Sequence, residues 1–461
     1  MKALQISLII KRLVIGLIGC HAITSCTLIP DLKIPSSPTS SRFPLSRETA
    51  AASSEISWKQ VFKEPRLVRL INISLANNRD LRVAMLRVEQ ARAQYRIERS
   101  ELLPNVLQTT ENNRIRQSGR ISNSSQFKLS IPSYEIDLFG RIRSLSAKAQ
   151  EEYFAQVEYQ RAAQVSLIAE VATQYYTVRQ FDEFIANTKL TLSAVEESYR
   201  LNDSIFKAGG LLELDLRSSE AQVLRAKANL IAYQRQREQA ENALVLVMGQ
   251  PMPSNLPAAK SLADAPVKAI SAGVPSELLQ SRPDILAAER VLRAANADIG
   301  AARAAFFPSI SLTASAGTTS TELSSLFSGG SSVWSFAPQI TVPIFTGGRN
   351  QANLDTAQIR TRIEVANYEK TIQVAFREVA DALATQNASK QQISTLDSLV
   401  ATQQRRYDLA NVANQQGASS YLNVVTAQQD LFTAQQELIG ARYDAVTARI
   451  KLYQSIGGGW K

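Results

Sequence analysis

Two hydrophobic rhythms share the chain. Over most of its length the period is helical: Ile359, Ile363, Ala366, Ile372, Phe376, Val379 and Leu383 recur at three- and four-residue spacings, a coiled-coil-like seam. Neither proline nor glycine occurs from Arg141 to Lys207 or from Arg349 to Gln415, 67 residues each. Each stretch reads as one helix of up to ~100 Å at ~1.5 Å per residue. "KAGGL" (Lys207–Leu211) breaks the first and "QQGAS" (Gln415–Ser419) the second, and each return helix runs for roughly half that length. A helix is also expected over Ser276–Ala305. The second rhythm has period two. In "FFPSISLTASAG" (Phe306–Gly317), Ile310, Leu312, Ala314 and Ala316 lie on one side, and Ser309, Ser311, Thr313 and Ser315 on the other. Across a Gly/Ser-rich loop, Val333–Ile344 sets Trp334, Phe336, Ile340, Val342 and Ile344 against Ser335, Gln339 and Thr341. A weaker copy sets Phe127, Leu129 and Ile131 against Lys128 and Ser130. Pro132, Pro338 and Pro343 read as bends near strand ends.

The two halves of the chain repeat one another. Arg79–Val106 aligns with Pro283–Ile310 at an offset of 204 residues. "IDLFGR" (Ile136–Arg141) aligns with "IFTGGR" (Ile344–Arg349), and Tyr199–Leu230 with Tyr407–Leu438, both at 208. The change of four falls between the paired strands, where a hairpin loop absorbs it. Each half reads helix, strand, strand, long helix, turn, helix. Two half-length helices can then stack beside each long one, giving a hairpin rod with strands at one end and glycine turns at the other. The expected division is a signal segment at 1–25, a tether at 26–57, a first repeat at 58–250, a Pro-rich equatorial linker at 251–275 and a second repeat at 276–461.

The N-terminus changes what chemistry is available. Lys2, Lys11 and Arg12 precede the apolar run Leu13–Ile23, which has signal-peptide proportions and is too short to span a bilayer as a helix. "LIGC" (ending at Cys20) and "ITSC" (ending at Cys26) both resemble lipoboxes. Cys26 is preferred, because it follows the whole apolar run and opens a Ser/Pro-rich stretch suited to a flexible tether. Cleavage there removes His21, the one histidine, and leaves Cys26 as the one thiol. Nucleophilic Ser-His-Asp or Cys-His sites and His/Cys metal sites are thereby excluded, and no phosphate-binding glycine motif occurs. A carboxylate-dependent enzyme remains a weak alternative. The net charge of +10 falls by the three basic residues of the signal to +7, dispersed along helices without interleaved aromatics, so no nucleic-acid partner is expected.

A strand pair with one apolar face cannot stand alone in water, and four strands cannot close a membrane barrel, for which about eight is the minimum. Strands of about ten residues with alternating faces, and aromatics near their ends (Phe306, Phe307, Trp334, Phe336, Phe345), therefore point to several protomers each lending four strands to one barrel whose wet face lines a lumen. A small sheet capping a periplasmic coiled-coil scaffold lipoprotein is the alternative.

From Cys26 to about Gly459 the chain resembles the outer-membrane factors of the TolC/OprM type (NodT-like lipoproteins), the exit ducts of tripartite efflux pumps. The likeness is carried by "CTLIPDLKIP", "DLFGR", "RPDILAAE", "GARAAFFPSISL", "VPIFTGGR" and "YLNVVTAQQDL". The block Arg282–Arg349 favours the branch paired with resistance-nodulation-division (RND) pumps. The resemblance implies an α+β membrane protein, a homotrimer with a twelve-stranded outer-membrane barrel and a periplasmic α-barrel of long helical hairpins. It is lipid-anchored in the outer membrane of a Gram-negative bacterium, without cofactor or metal beyond the lipid on Cys26. It further implies a periplasmic adaptor and an RND-type inner-membrane transporter as partners. By position, Gly209, Gly210, Gly417 and Ser419 correspond to tip turns that an adaptor contacts, and Asp215 to an acidic tip position. Where the family often carries acidic residues ringing the closed aperture, Asn423 and Thr426 stand instead, with Leu422 and Val425 nearby. A neutral constriction is expected, although the same residues also fit ordinary helix caps. Gly140, Arg141, Gly347, Gly348 and Arg349 mark the strand–helix junctions. The cargo is not identified; drugs, solvents, metals or a peptide would use similar lumens.

Overall fold

A computed structural model of the chain describes residues 27–43, 57–268 and 275–459. The signal segment, Cys20 and Cys26 lie outside the described residues. The helices are α1 (Trp58–Val61), α2 (Pro65–Asn77), α3 (Arg79–Ser100), α4 (Arg141–Lys207), α5 (Glu213–Met248), α6 (Pro275–Ser281), α7 (Pro283–Ala304), α8 (Arg349–Gln415) and α9 (Tyr421–Ser455). The strands are β1 (Leu107–Gln117), β2 (Arg120–Ile136), β3 (Ser309–Ser320) and β4 (Ser332–Thr341). The two long helices begin and end where the proline- and glycine-free stretches do. None of the described helices is long and apolar enough to cross a membrane.

The chain forms two compact units, each drawing on both halves of the sequence. In the first (27–36, 86–157 and 287–369), the strands form one antiparallel sheet in the order β1-β2-β3-β4. The register settles the faces. Ala314 lies opposite Phe336, Ala316 opposite Trp334 and Ile310 opposite Ile340, while Ile131 and Leu129 lie opposite Ala314 and Ala316. These residues share one face; Ser130, Ser315 and Ser335 share the other. The apolar face is not covered: Leu129, Trp334, Phe336 and Ile340 are 52%, 78%, 62% and 65% exposed.

Three local expectations are corrected. The strand expected to reach Ile344 stops at Thr341, because Pro343 has no N–H to continue the ladder. Pro338 sits inside β4 rather than near a bend, tolerated because β4 is an edge strand; Pro132 falls within the register shift between Ile131 and Tyr134. The helix expected over Ser276–Ala305 is two helices, α6 and α7, broken at Arg282, since a residue preceding proline avoids the helical region.

Helix packing in this unit relies on small side chains. Ala149, Ala155, Ala294, Ala297 and Ala304 are buried with Ile142 and Leu292, and ion pairs Lys148–Asp298 (3.1 Å) and Arg290–Glu151 (3.1 Å) join α4 to α7. The stretch after Cys26, whose composition suits a flexible tether, is here a fastened strap. Asn296 Nδ2 donates to the Pro30 carbonyl (2.8 Å) and Arg303 Nη1 to that of Leu28 (3.3 Å). Gly300 makes the seat: a Cβ there would come within 2.6 Å of Ile29 Cγ1 and of Ser144 Oγ.

The second unit (37–43, 57–85, 158–268, 275–286 and 370–459) has the larger core, with Leu67, Leu70, Ile71, Ile168, Tyr175, Leu244, Met248 and Tyr453 fully buried. The Pro-rich stretch 251–268 is irregular and held by side chains that accept its backbone N–H groups. Glu64, 1% exposed, is the hub: its carboxylate accepts from the Tyr175 hydroxyl, from Tyr176 (3.2 Å) and from the Lys260 N–H (3.0 Å). Glu183 accepts from the Leu262 N–H at 2.6 Å. Burial, then the bond to Glu64, pushes the Tyr175 phenol well above its ordinary range, and burial with the Glu64 charge does the same to Tyr176. Both therefore remain donors at any pH the protein meets. Arg282, 7% exposed, binds Asp284 through two nitrogens (2.9 and 2.6 Å), Glu378 of α8 (2.8 Å) and the Ser455 carbonyl of α9 (2.9 Å). The "RPD" motif thus closes a structural joint.

Removing the Glu64 carboxylate leaves three donors without their partner, at about 1–3 kcal/mol each. Glu64→Ala is expected to lower the apparent thermal midpoint, followed by circular dichroism, well beyond the loss seen for Glu64→Gln, which keeps one acceptor oxygen. Equal midpoints for wild type and Glu64→Ala would contradict the hub.

Candidate functional site

The tip candidates lie on two helix–turn–helix corners of the second unit. Gly209 terminates α4 with φ +77°, its N–H donating to Phe206 and that of Gly210 to Ile205. Gly417 terminates α8 with φ +72°, its N–H donating to Asn414 and that of Ala418 to Ala413. Both corners are the left-handed C-cap that favours glycine. Nothing lies within 4 Å of a Cβ built at either, so backbone conformation, not crowding, calls for glycine there.

The first corner is ringed by charge and exposed leucine. Lys207–Asp203 (2.6 Å) and Arg217–Glu220 (2.8 Å) pair on its flanks, while Leu212 and Leu214 are 70% and 74% exposed. The second is polar: Asn414 Nδ2 donates to the Ser419 carbonyl (3.0 Å), and Asn423 Nδ2 to Ser419 Oγ (2.8 Å). Thr426 Oγ1 donates to the Leu422 carbonyl of its own helix (2.9 Å). Asn423 and Leu422 are exposed and Thr426 half-buried. Val425 is not on this surface: with Tyr421 and Val424 it packs against Tyr407 and Ala410, because the helical period turns it toward α8. The corners share one neighbourhood. Burial raises the Tyr421 phenol above its ordinary range, the nearby Asn202 amide of α4 opposes the shift, and Tyr407 and Asp215 add to it. Asp215, on the first turn of α5, is half-buried.

The junction residues lie in the first unit. Arg141 binds Glu135 at the end of β2 through two nitrogens (2.8 and 2.7 Å), and Arg143 binds Asp137 (3.2 Å), locking strand to helix. Gly140 supplies a positive φ at this corner, as Gly347 and Gly348 do at the other. The second junction differs. Pro343 and Phe345 stand where the first repeat has Glu135 and Asp137, Arg349 is exposed, and Ile344 and Phe345 are 94% and 90% exposed. The sequence implied four strands but did not locate β1, whose eleven residues are all exposed, because its composition alternates poorly. Nor did it assign a role to Glu64, whose isolated position carried no motif.

The model of the outer membrane efflux protein family matches residues 70–250 and 274–458. The solvent efflux pump outer membrane protein SrpC of Pseudomonas putida is 43% identical over 449 residues, covering 94% of this chain and 96% of its own. The outer membrane protein OprJ of Pseudomonas aeruginosa is 40% identical over 447 residues, covering 95% and 93%. Among solved structures, the open state of the Neisseria gonorrhoeae MtrE outer membrane channel superposes with a TM-score of 0.89 at 38% identity, covering 95% of this chain and 99% of that one. CusC superposes with a TM-score of 0.86 at 36% identity, covering 94% and 100%. The chain belongs to the outer membrane efflux protein family.

Proposed function

We propose that three copies of this chain form the outer-membrane exit duct of a tripartite efflux pump. One observation carries this reading: an open four-stranded sheet with an exposed apolar face, a polar opposite face and two unpaired edges. Three such sheets joined edge to edge make twelve strands, enough to close around a polar lumen, with the apolar faces toward lipid. Exposed Ile359 (47%) and Ile363 (51%) on α8 give the helices a surface for neighbouring copies.

In this assembly the corners at Gly209–Gly210 and Gly417–Ser419 form the periplasmic tip and meet an adaptor that links the duct to an RND-type transporter. The duct is passive. Its chemistry is a lumen wide and polar enough to let cargo diffuse, and a constriction that Leu422, Asn423 and Thr426, with Asp215 nearby, close by packing and neutral hydrogen bonds rather than by a ring of charge. Relatives named for solvent and toluene efflux favour small apolar compounds as cargo. A lipid on Cys26 would hold the strap that begins at Leu28 to the membrane.

Deleting the gene should sensitise cells to aromatic solvents and to unrelated drugs, and restoring it should reverse this; unchanged tolerance throughout would count against efflux. In planar bilayers the purified protein should conduct, and Thr426→Asp should raise cation over anion permeability at least about twofold at low salt, because a threefold-repeated carboxylate would ring the opening. An unchanged reversal potential would remove Thr426 from the pore. Acyl labelling with radioactive palmitate should be lost in Cys26→Ser and kept in Cys20→Ser; the opposite pattern would move the anchor.

A further inference from the structure

The β1–β2 hairpin is longer than the sheet it belongs to. β2 pairs with β3 only from Ser125 onward, yet β1 and β2 continue to pair with each other through Asn113–Ser124 to Gln117–Arg120, closed by Ser118 and Gly119 at φ 51° and 78°. At about 3.4 Å per residue, this end stands roughly 20 Å beyond the four-stranded part. It is strongly one-signed. From Asn112 to Tyr134 the sequence has no acidic residue and carries Arg114, Arg116, Arg120 and Lys128. All three arginines are exposed, and none makes an ion pair or side-chain hydrogen bond among the described residues.

The register says which way they point. Arg114 lies opposite Asn123 and Arg116 opposite Ile121, on the face that carries Phe127, which pairs with Thr110. That is the apolar face of the sheet, shared with Trp334 and Phe336. Arg120, opposite Gln117, belongs to the polar face. Aromatics mark the boundary just below: the Phe127 ring meets Phe327 of the β3–β4 loop edge to face at 5.8 Å, and Trp334 is 78% exposed. Such aromatic rims sit at the edge of the hydrocarbon layer.

We propose that Arg114 and Arg116 form a docking surface for the phosphate groups of the outer leaflet's glycolipid. The proposal rests on the duct reading, which sets the apolar face toward lipid and the hairpin outside. Two guanidinium groups two residues apart on one strand face, four and six residues along β1 from Thr110, the partner of Phe127 in the aromatic rim, meet the layer where phosphorylated sugar headgroups lie, and unpaired arginine matches phosphate in charge and geometry. An apolar face alone would let the barrel drift in depth; phosphate contacts above the rim fix its height.

The test uses the full-length assembled protein in detergent, with bisphosphorylated lipid A and its dephosphorylated form as probes and native mass spectrometry as the readout. Arg114→Glu/Arg116→Glu is expected to weaken lipid A binding roughly tenfold or more, Arg114→Lys/Arg116→Lys by less than about threefold, and Arg120→Glu hardly at all, while the dephosphorylated lipid binds wild type no better than lipid A binds the glutamate variant. Wild-type affinity in the double glutamate variant, an equal loss in Arg120→Glu, or indifference to the phosphates would overturn the proposal. Conductance of each variant in phosphatidylcholine bilayers separates the two readings. Channels that conduct normally with unaltered lipid A binding would count against this surface alone, whereas wild-type protein that forms no channel would count against the duct.

Discussion

The outer strands β1 and β4 are each paired on one side only, and the sheet between them is apolar on one face and polar on the other. In water the apolar face is an exposed patch; in hydrocarbon every unpaired edge N–H and C=O costs several kcal/mol. A single chain satisfies neither environment, and four strands are too few to curl until the edges meet. Pairing β4 of one copy with β1 of the next meets both demands at once: it pairs the edges, sends one face to lipid and encloses the other. This requirement dictates an oligomer, and with it a lumen.

The helical parts serve that arrangement. Ion pairs from Arg141 and Arg143 to Glu135 and Asp137 bind strand to helix where β2 gives way to the first turn of α4. Alanine-lined contacts in the first unit allow helices to approach closely, leaving their larger side chains for other surfaces. In the second unit the polar joints at Glu64 and Arg282 hold the irregular segment, the middle of α8 at Glu378 and the end of α9 at Ser455 with bonds that are costly to leave unmade. The two helix–turn–helix corners at Gly209 and Gly417 share a backbone solution, a left-handed glycine cap, while their side chains differ: exposed leucines and ion pairs at one, amides and hydroxyls at the other.

Much of this was legible from periodicity alone. The absence of helix breakers over two 67-residue stretches located α4 and α8 to the residue, and strict alternation from Ser309 to Gly317 placed β3 and both its faces. What periodicity missed has physical causes. β1 lacks alternation because much of it pairs only with the protruding part of β2, beyond the four-stranded sheet where one face must be apolar. Pro338 looked like a strand end because the one-sided pairing of β4 within the chain is a property of topology and not of local sequence. Arg282 stood out through its motif, yet its role depends on Glu378 and Ser455, far along the chain, and nothing local announces them. Val425 appeared beside the aperture by number, whereas its place on the helix turns it inward.

The central claim is that no hole through the membrane exists within one chain. Cryo-electron microscopy of the protein extracted from membranes tests it most directly. The account predicts three copies around one axis, with β4 of each chain hydrogen-bonded to β1 of its neighbour in a single twelve-stranded wall. A particle in which β1 and β4 of the same chain pair with each other, or in which the sheet lies covered by that chain's own helices, would contradict it.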